Sequence, residues 1–305
     1  MPLNESQLHE LIDELQTRWQ DASQPRTLHQ PADRRGQRFT GSDASRIVSV
    51  YGLSRHVHET ASAICMLMKA GYGNAAIPLV RVAYESALTA AWLVQSKGDH
   101  GIKAFLHEHS RIRLALKQDS LKALSDIFRT GAYEIADADP ELYKDTRDNA
   151  QRFYQLCLDL APGGQDAYIH YRLLSAHSHA SIDVVDLYLH SMAPNDRVPS
   201  FRAVPDAAFT NDTLLFFTAA SMVWAGRAYS YLTQDKQHRT ALRHSAALLE
   251  IDSELQLSEN YRRRHANRTA RSGKQERRRQ LRPLGYAVEG SHAVRVSIYD
   301  GTSLI

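Results

Sequence analysis

Apolar residues recur at helical spacing along most of this 305-residue chain, and that pattern limits the fold more than anything else in it. Between residues 42 and 70 the stripe is Ile47, Val50, Tyr51, Val57, Ala61, Ile64 and Met68. Such a stripe leaves one face of a helix to be covered by another element. Alternation of the kind a half-buried strand needs is not seen before residue 285. The pattern therefore predicts an all-α, multi-helix bundle. Helices are expected over about 4–20, 42–70, 74–96, 100–130, 140–160, 166–191, 206–233 and 237–258, with a loop over 193–205. A short β-hairpin is expected from 285–288 and 293–298.

The domain boundaries follow from composition. Residues 1–41 hold an amphipathic helix with Leu8, Leu11, Ile12, Leu15 and Trp19 on one side, then a polar linker over 22–41. Asn4 and Gln7 have the spacing of a capping box. This N-terminal arm is expected to dock on the body or on a second subunit. Residues 42–258 form the bundle. Residues 259–305 form a basic C-terminal segment.

Charge is placed unevenly. Of 37 Lys and Arg and 34 Asp and Glu in the chain, residues 261–282 hold ten basic residues and one Glu, leaving 27 basic and 33 acidic residues elsewhere. The ten are Arg262, Arg263, Arg264, Arg268, Arg271, Lys274, Arg277, Arg278, Arg279 and Arg282. A block of this kind is an electrostatic handle for nucleic acid or another anionic surface.

Cys65 and Cys157 lie in apolar helical patterns and are expected to be buried thiols in a reducing compartment. The first residues lack a basic stretch followed by an apolar one, and the most apolar window, 87–94, is short for a bilayer. A cytoplasmic protein with no membrane contact is the expectation.

Familiar motifs fail. Residues 71–76, GYGNAA, have the spacing of a dinucleotide loop but follow a helix, so they are expected only to stop one helix and start the next. The histidine-rich groups His56, His58, Glu59 and His107, Glu108, His109 are the best candidates for metal ligands. Adjacent residues point to different helix faces, so no metal and no cofactor are expected.

The stretch 166–191 carries the most chemistry. Read as one helix, it gathers Leu173, Leu174, His177, Val184, Val185 and Tyr188 on a core face. Arg172, Ser175, His179, Asp183, Asp186 and His190 gather on the other. That polar face is a solvent-facing side or a phosphate-handling site. In the second reading Arg172 supplies planar charge and His179 acid–base chemistry, with Asp183 orienting the imidazole.

Two resemblances bear on this. Residues 66–95, with Arg81 and Glu85 in an Arg-x-x-x-Glu helix after a glycine turn, resemble the domain of unknown function 5677 family. Tyr171, Ser175 and His179 resemble its later Tyr-x-x-x-Ser-x-x-x-His helix. The resemblance spans about 45–190 and implies a helical fold without a settled activity. Arg81 and Glu85 then form either a structural ion pair or a pocket with Tyr171, Ser175 and His179. Arg172 and His179 also resemble the Arg-x(4–6)-His pattern of HEPN ribonucleases, although Leu173 stands where many of those proteins carry a polar residue. That likeness implies a metal-independent RNA endonuclease of bacterial defence or toxin systems. It would act as a homodimer, with Arg172, His179, Ser175 and Asp183 at the catalytic site and the basic segment guiding RNA. The alternatives are a non-catalytic nucleic-acid-binding or interaction protein, and a small-molecule enzyme built on Arg81, Glu85, Ser175 and His179.

Overall fold

The computed structural model describes residues 3–23, 28–29, 36–190, 198 and 200–266. The helices are α1 (Glu5–Ala22), α2 (Gly41–Lys69), α3 (Gly73–Gln95), α4 (His100–Leu121), α5 (Asp126–Gly131), α6 (Phe153–Asp159), α7 (Gly164–Ala176), α8 (Ile182–Asp186), α9 (Asn211–Thr233) and α10 (Lys236–Leu248). Two short strands, β1 (Leu160–Ala161) and β2 (Gln256–Leu257), pair antiparallel. The architecture is an all-α bundle. Residues up to Arg262 form one compact unit. Of the second unit, 263–305, only residues 263–266 are described, all helical. The hairpin expected over 285–298 lies outside the described residues.

The core is built on α2, α3 and α9, which pack on one another. Helix α3 is apolar on nearly every side, with Ile77, Val80, Tyr84, Leu88, Trp92 and Leu93 all buried. A helix of that kind must be surrounded. It is long and apolar enough to cross a membrane, unlike the short window read from the sequence, yet 72% of its most apolar stretch is buried within the bundle. Helix α9 packs beside it and buries Leu214, Leu215, Met222, Val223 and Leu232. Ser54 on α2 donates to the Ala225 carbonyl of α9 at 3.0 Å, tying those two helices inside the core.

Helix α1 covers α9, α2 and α10 of its own chain. The Asn4–Gln7 capping box forms as the spacing predicts. Leu8, Leu11, Ile12, Leu15 and Trp19 are all buried. Each such side chain contributes roughly 1.5–3 kcal/mol relative to exposure. Trp19 stacks on His58 at 4.4 Å and meets Tyr229 edge-on at 5.0 Å. His58 is itself buried.

Several expected helices are shorter than their apolar pattern. Helix 100–130 is two, α4 and α5, with a turn at 122–125. The span 140–160 is a 3-10 turn at Pro140–Tyr143 and then α6. After α10 the chain straightens into β2, so 237–258 is not one helix. The long helix 166–191 is α7, a turn and α8. The glycine turn behaves as read: Gly71 adopts a φ of 82°, α3 restarts at Gly73, and Asn74 then anchors the segment before α9. Its amide donates to the Asp206 carbonyl at 2.8 Å and its oxygen accepts from Ala208 N–H at 3.0 Å.

Both cysteines are free and buried, and burial pushes both thiols up, Cys157 to about 12. The metal candidates separate. His58 is buried against Trp19, His56 is exposed, and Glu59 pairs with Arg55 at 2.9 Å. Glu108 pairs with Arg111. Among the described residues no group of three His, Cys, Asp or Glu side chains is placed to hold a metal ion.

Candidate functional site

Helix α7 is delivered to α3 by a tight connection. Asp159 and β1 are held to the chain near β2, with Leu160 opposite Leu257 and Ser258 N–H donating to the Asp159 carbonyl at 2.7 Å. The chain then turns through Pro162 and Gly163, which has a φ of 78°, into Gly164. A Cβ on Gly164 would lie 2.2 Å from the Cys157 carbonyl oxygen, so only glycine lets α7 start this close to α6. From there α7 runs back along α3.

Where the two helices meet, four residues of the family-like pattern converge. Arg81 donates from Nε to the Ser175 hydroxyl at 2.9 Å and from an Nη to the Tyr171 hydroxyl. Its guanidinium carbon also lies 4.8 Å from the centre of the Tyr171 ring. Glu85, one turn along α3, approaches the same guanidinium at 3.4 Å. Burial pushes the Glu85 carboxyl up, and Arg81 opposes that shift. Tyr171 is held in turn by Phe153 at 4.4 Å and Tyr168 at 6.2 Å. The Arg81 side chain keeps 19% of its exposure and Glu85 keeps 37%. Chemically the cluster is a charged, hydrogen-bonded brace between α3 and α7 with one edge open to solvent. Its planar cation is oriented and its carboxylate is held beside that cation.

The Arg172 constellation is not built as the sequence suggests. Helix α7 ends at Ala176, and residues 177–181 turn before α8 begins. The serines make the break. Ser178 Oγ donates to the Leu174 carbonyl and Ser181 Oγ to the Ala176 carbonyl, both at 2.6 Å. Ser181 also caps α8 through Val184 N–H. Short hydroxyl side chains compete in this way for backbone groups that a continuing helix would use. Arg172 therefore stands on α7, His179 in the turn and Asp183 in the first turn of α8, and all three are exposed. The common helical face assumed for them, with Asp186 and His190, does not exist. Arg172 and His179 make no side-chain hydrogen bond or ion pair among the described residues. The expected core face is likewise split. Leu174 is buried, but Leu173, Val185 and Tyr188 are exposed, and His177 is half-buried edge-on to Phe209 at 5.5 Å.

Thus Arg81, Glu85, Tyr171 and Ser175 come together, while His179 falls outside that brace. Of the basic segment, Arg262, Arg263 and Arg264 stand in the helical residues 259–266. Arg268, Arg271, Lys274, Arg277, Arg278, Arg279 and Arg282 lie outside the described residues. Sequence reasoning missed Tyr261, a fully buried side chain at the edge of that segment. Its hydroxyl donates to Asp148 at 2.9 Å and accepts from Lys97 N–H at 3.1 Å. Burial, first, and Asp148 hold this phenol far above its ordinary range. Its setting, YRRRH, carried no apolar period to mark it.

The fold and the brace define a helical-bundle domain whose fourfold contact links an early Arg-x-x-x-Glu helix to a later Tyr-x-x-x-Ser helix. Residues 49–196, from within α2 to beyond α8, match the Family of unknown function (DUF5677). No curated protein matches the chain, and no solved structure matches it.

Proposed function

We propose that this chain is a helical RNA-binding protein that holds the phosphate backbone through its basic segment, with the bundle as its platform. One observation carries the reading: ten Lys and Arg against a single Glu within residues 261–282, beside a remainder that is net acidic. Neutralised phosphates release counterions, so affinity for single-stranded RNA should fall with a log–log salt slope of about −0.7 per phosphate contacted. The test is fluorescence anisotropy of the full chain with a labelled RNA oligonucleotide at low and moderate salt. The triple substitution of Arg277, Arg278 and Arg279 to Gln should weaken binding and flatten the slope. Binding that ignores salt, or is untouched by the triple substitution, refutes the reading.

A second reading is favoured by the exposure of Arg172 and His179, a cation and an imidazole on either side of the end of α7 with no side-chain partner of their own among the described residues. It is a metal-independent endoribonuclease of cytoplasmic defence, similar to HEPN proteins and acting as a homodimer that pairs two such ends. His179 would take the proton of a ribose 2′-hydroxyl as that oxygen attacks phosphorus and the 5′-oxygen leaves. Arg172 would stabilise the charge on the phosphate, with Ser175 and Asp183 nearby in sequence. Incubation with RNA in EDTA should leave 2′,3′-cyclic phosphate ends, and Arg172→Ala or His179→Ala should abolish them. Cleavage that survives both substitutions removes this site from the chemistry.

A further inference from the structure

On the other part of the α3–α7 junction lies a cavity of about 230 Å3, bounded also by α9 and the chain after α10. It is smaller than the ~300–1,000 Å3 of sites for drug-sized ligands, so its occupant is small. Aromatic rings form its walls. Tyr84 meets Phe217 edge-on at 5.6 Å and Trp224 at 5.9 Å, and His170 meets Phe217 at 5.1 Å. Burial, the larger effect, pushes the His170 imidazole down, which disfavours its charged form, and Asp166 opposes that shift.

Among the described residues, the carboxylates of three residues border the cavity. Asp166 comes from the first turn of α7, and Glu250 and Asp252 come from the segment after α10, while no Lys or Arg among the described residues borders it. Asp166 and Asp252 have exposed side chains, and neither carboxylate has a hydrogen-bond or ion-pair partner among the described residues. The indole N–H of Trp224 is already used, donating to the Asp252 carbonyl at 2.9 Å, which pins the acidic segment beside the aromatic wall. The N-terminal turn of α7 brings a partial positive charge to the rim through Gly163 and Gly164, and the full charge of Asp166 in that turn outweighs it. Ring faces attract cations through their quadrupole, and a carboxylate at the mouth adds a full opposite charge.

We propose that this cavity binds a small organic ammonium ion, its alkylated nitrogen against the Trp224, Phe217 and Tyr84 rings and its charge facing Asp166 and Asp252. The site is independent of RNA binding by the basic segment. Calorimetry of the full chain with choline and with 3,3-dimethyl-1-butanol, an uncharged compound of nearly the same shape, separates charge recognition from simple filling of an apolar hole. Choline should bind at least about tenfold more tightly than the alcohol, the ratio expected of a desolvated cation–ring contact. The double substitution Asp166→Asn and Asp252→Asn should remove most of that preference. Both residues are exposed, so the melting temperature should stay unchanged, which distinguishes a lost site from a lost fold. Equal affinity for the two compounds, no measurable choline binding, or a preference that survives the double substitution would each overturn the proposal.

Discussion

At the scale of single residues, the charged or polar groups taken into the bundle are the most informative. His58 is 2% exposed, stacked on Trp19, and neither ring nitrogen has a hydrogen-bond partner among the described residues. Burial, aided by His238, pushes its imidazole down to about 3. The unfolded chain takes up a proton below about pH 6.5 that the folded chain refuses. Stability is therefore complete above that pH and is lost as pH falls toward the folded value. Urea unfolding should show a loss of roughly 2 kcal/mol from this residue between pH 7.5 and 5, and His58→Phe should remove that share. A pH dependence unchanged by the substitution would assign the effect elsewhere. Arg81 is the opposite case, a cation whose Nε and one Nη are hydrogen-bonded. Arg81→Met strands the hydroxyls of Tyr171 and Ser175 and should cost about 1–3 kcal/mol in the same assay. Glu85→Gln should cost less at pH 7. Its carboxyl is raised, so the stability it contributes is present below its ordinary range and lost as pH rises.

At the scale of elements, the end of α7 decides how the polar residues of 166–191 are arranged. The apolar period continues past Ala176, but Ser178 and Ser181 take the carbonyls of Leu174 and Ala176. Ser181 then starts α8 as its cap. Ser181→Ala should therefore cost about 1 kcal/mol, the usual value of an N-cap. The loss should be local: hydrogen exchange at Val184 and Val185 should quicken while the amides of α3 and α9 keep their protection. Uniformly faster exchange would mean that α8 is integral to the core.

At the scale of the whole molecule, Tyr261 marks how far the compact unit reaches. Its ring is fully buried and its hydroxyl joins Asp148 and the Lys97 backbone. Removal of residues 267–305 should leave thermal and urea stability as they are while abolishing salt-dependent RNA binding. Removal from residue 261 should cost several kcal/mol more, on the order of the 3–5 kcal/mol seen when a large buried ring is deleted. Equal stability of the two truncated chains would show that Tyr261 is not part of the core.

Local physics was legible in advance. The helical period of residues 42–258 and its lack of alternation specified an all-α bundle. The capping box at Asn4 and the apolar face from Leu8 to Trp19 specified α1, and the glycine turn at 71–73 specified the start of α3. Arg81, Glu85, Tyr171 and Ser175 could be named from the resemblance of their two helices to the family's motifs. What joins them could not, because their hydrogen bonds span 90 residues or more of chain and depend on how α7 is turned at Gly164. The break after Ala176 was hidden for a related reason. A serine inside a helical pattern can hydrogen-bond back to a carbonyl within the helix or end it, and the surrounding packing chooses. The burial of His58 and Tyr261 and the acidic aromatic cavity exist only once distant helices meet. Periodicity records which faces must be covered; tertiary packing alone decides what covers them and which polar groups are left facing one another.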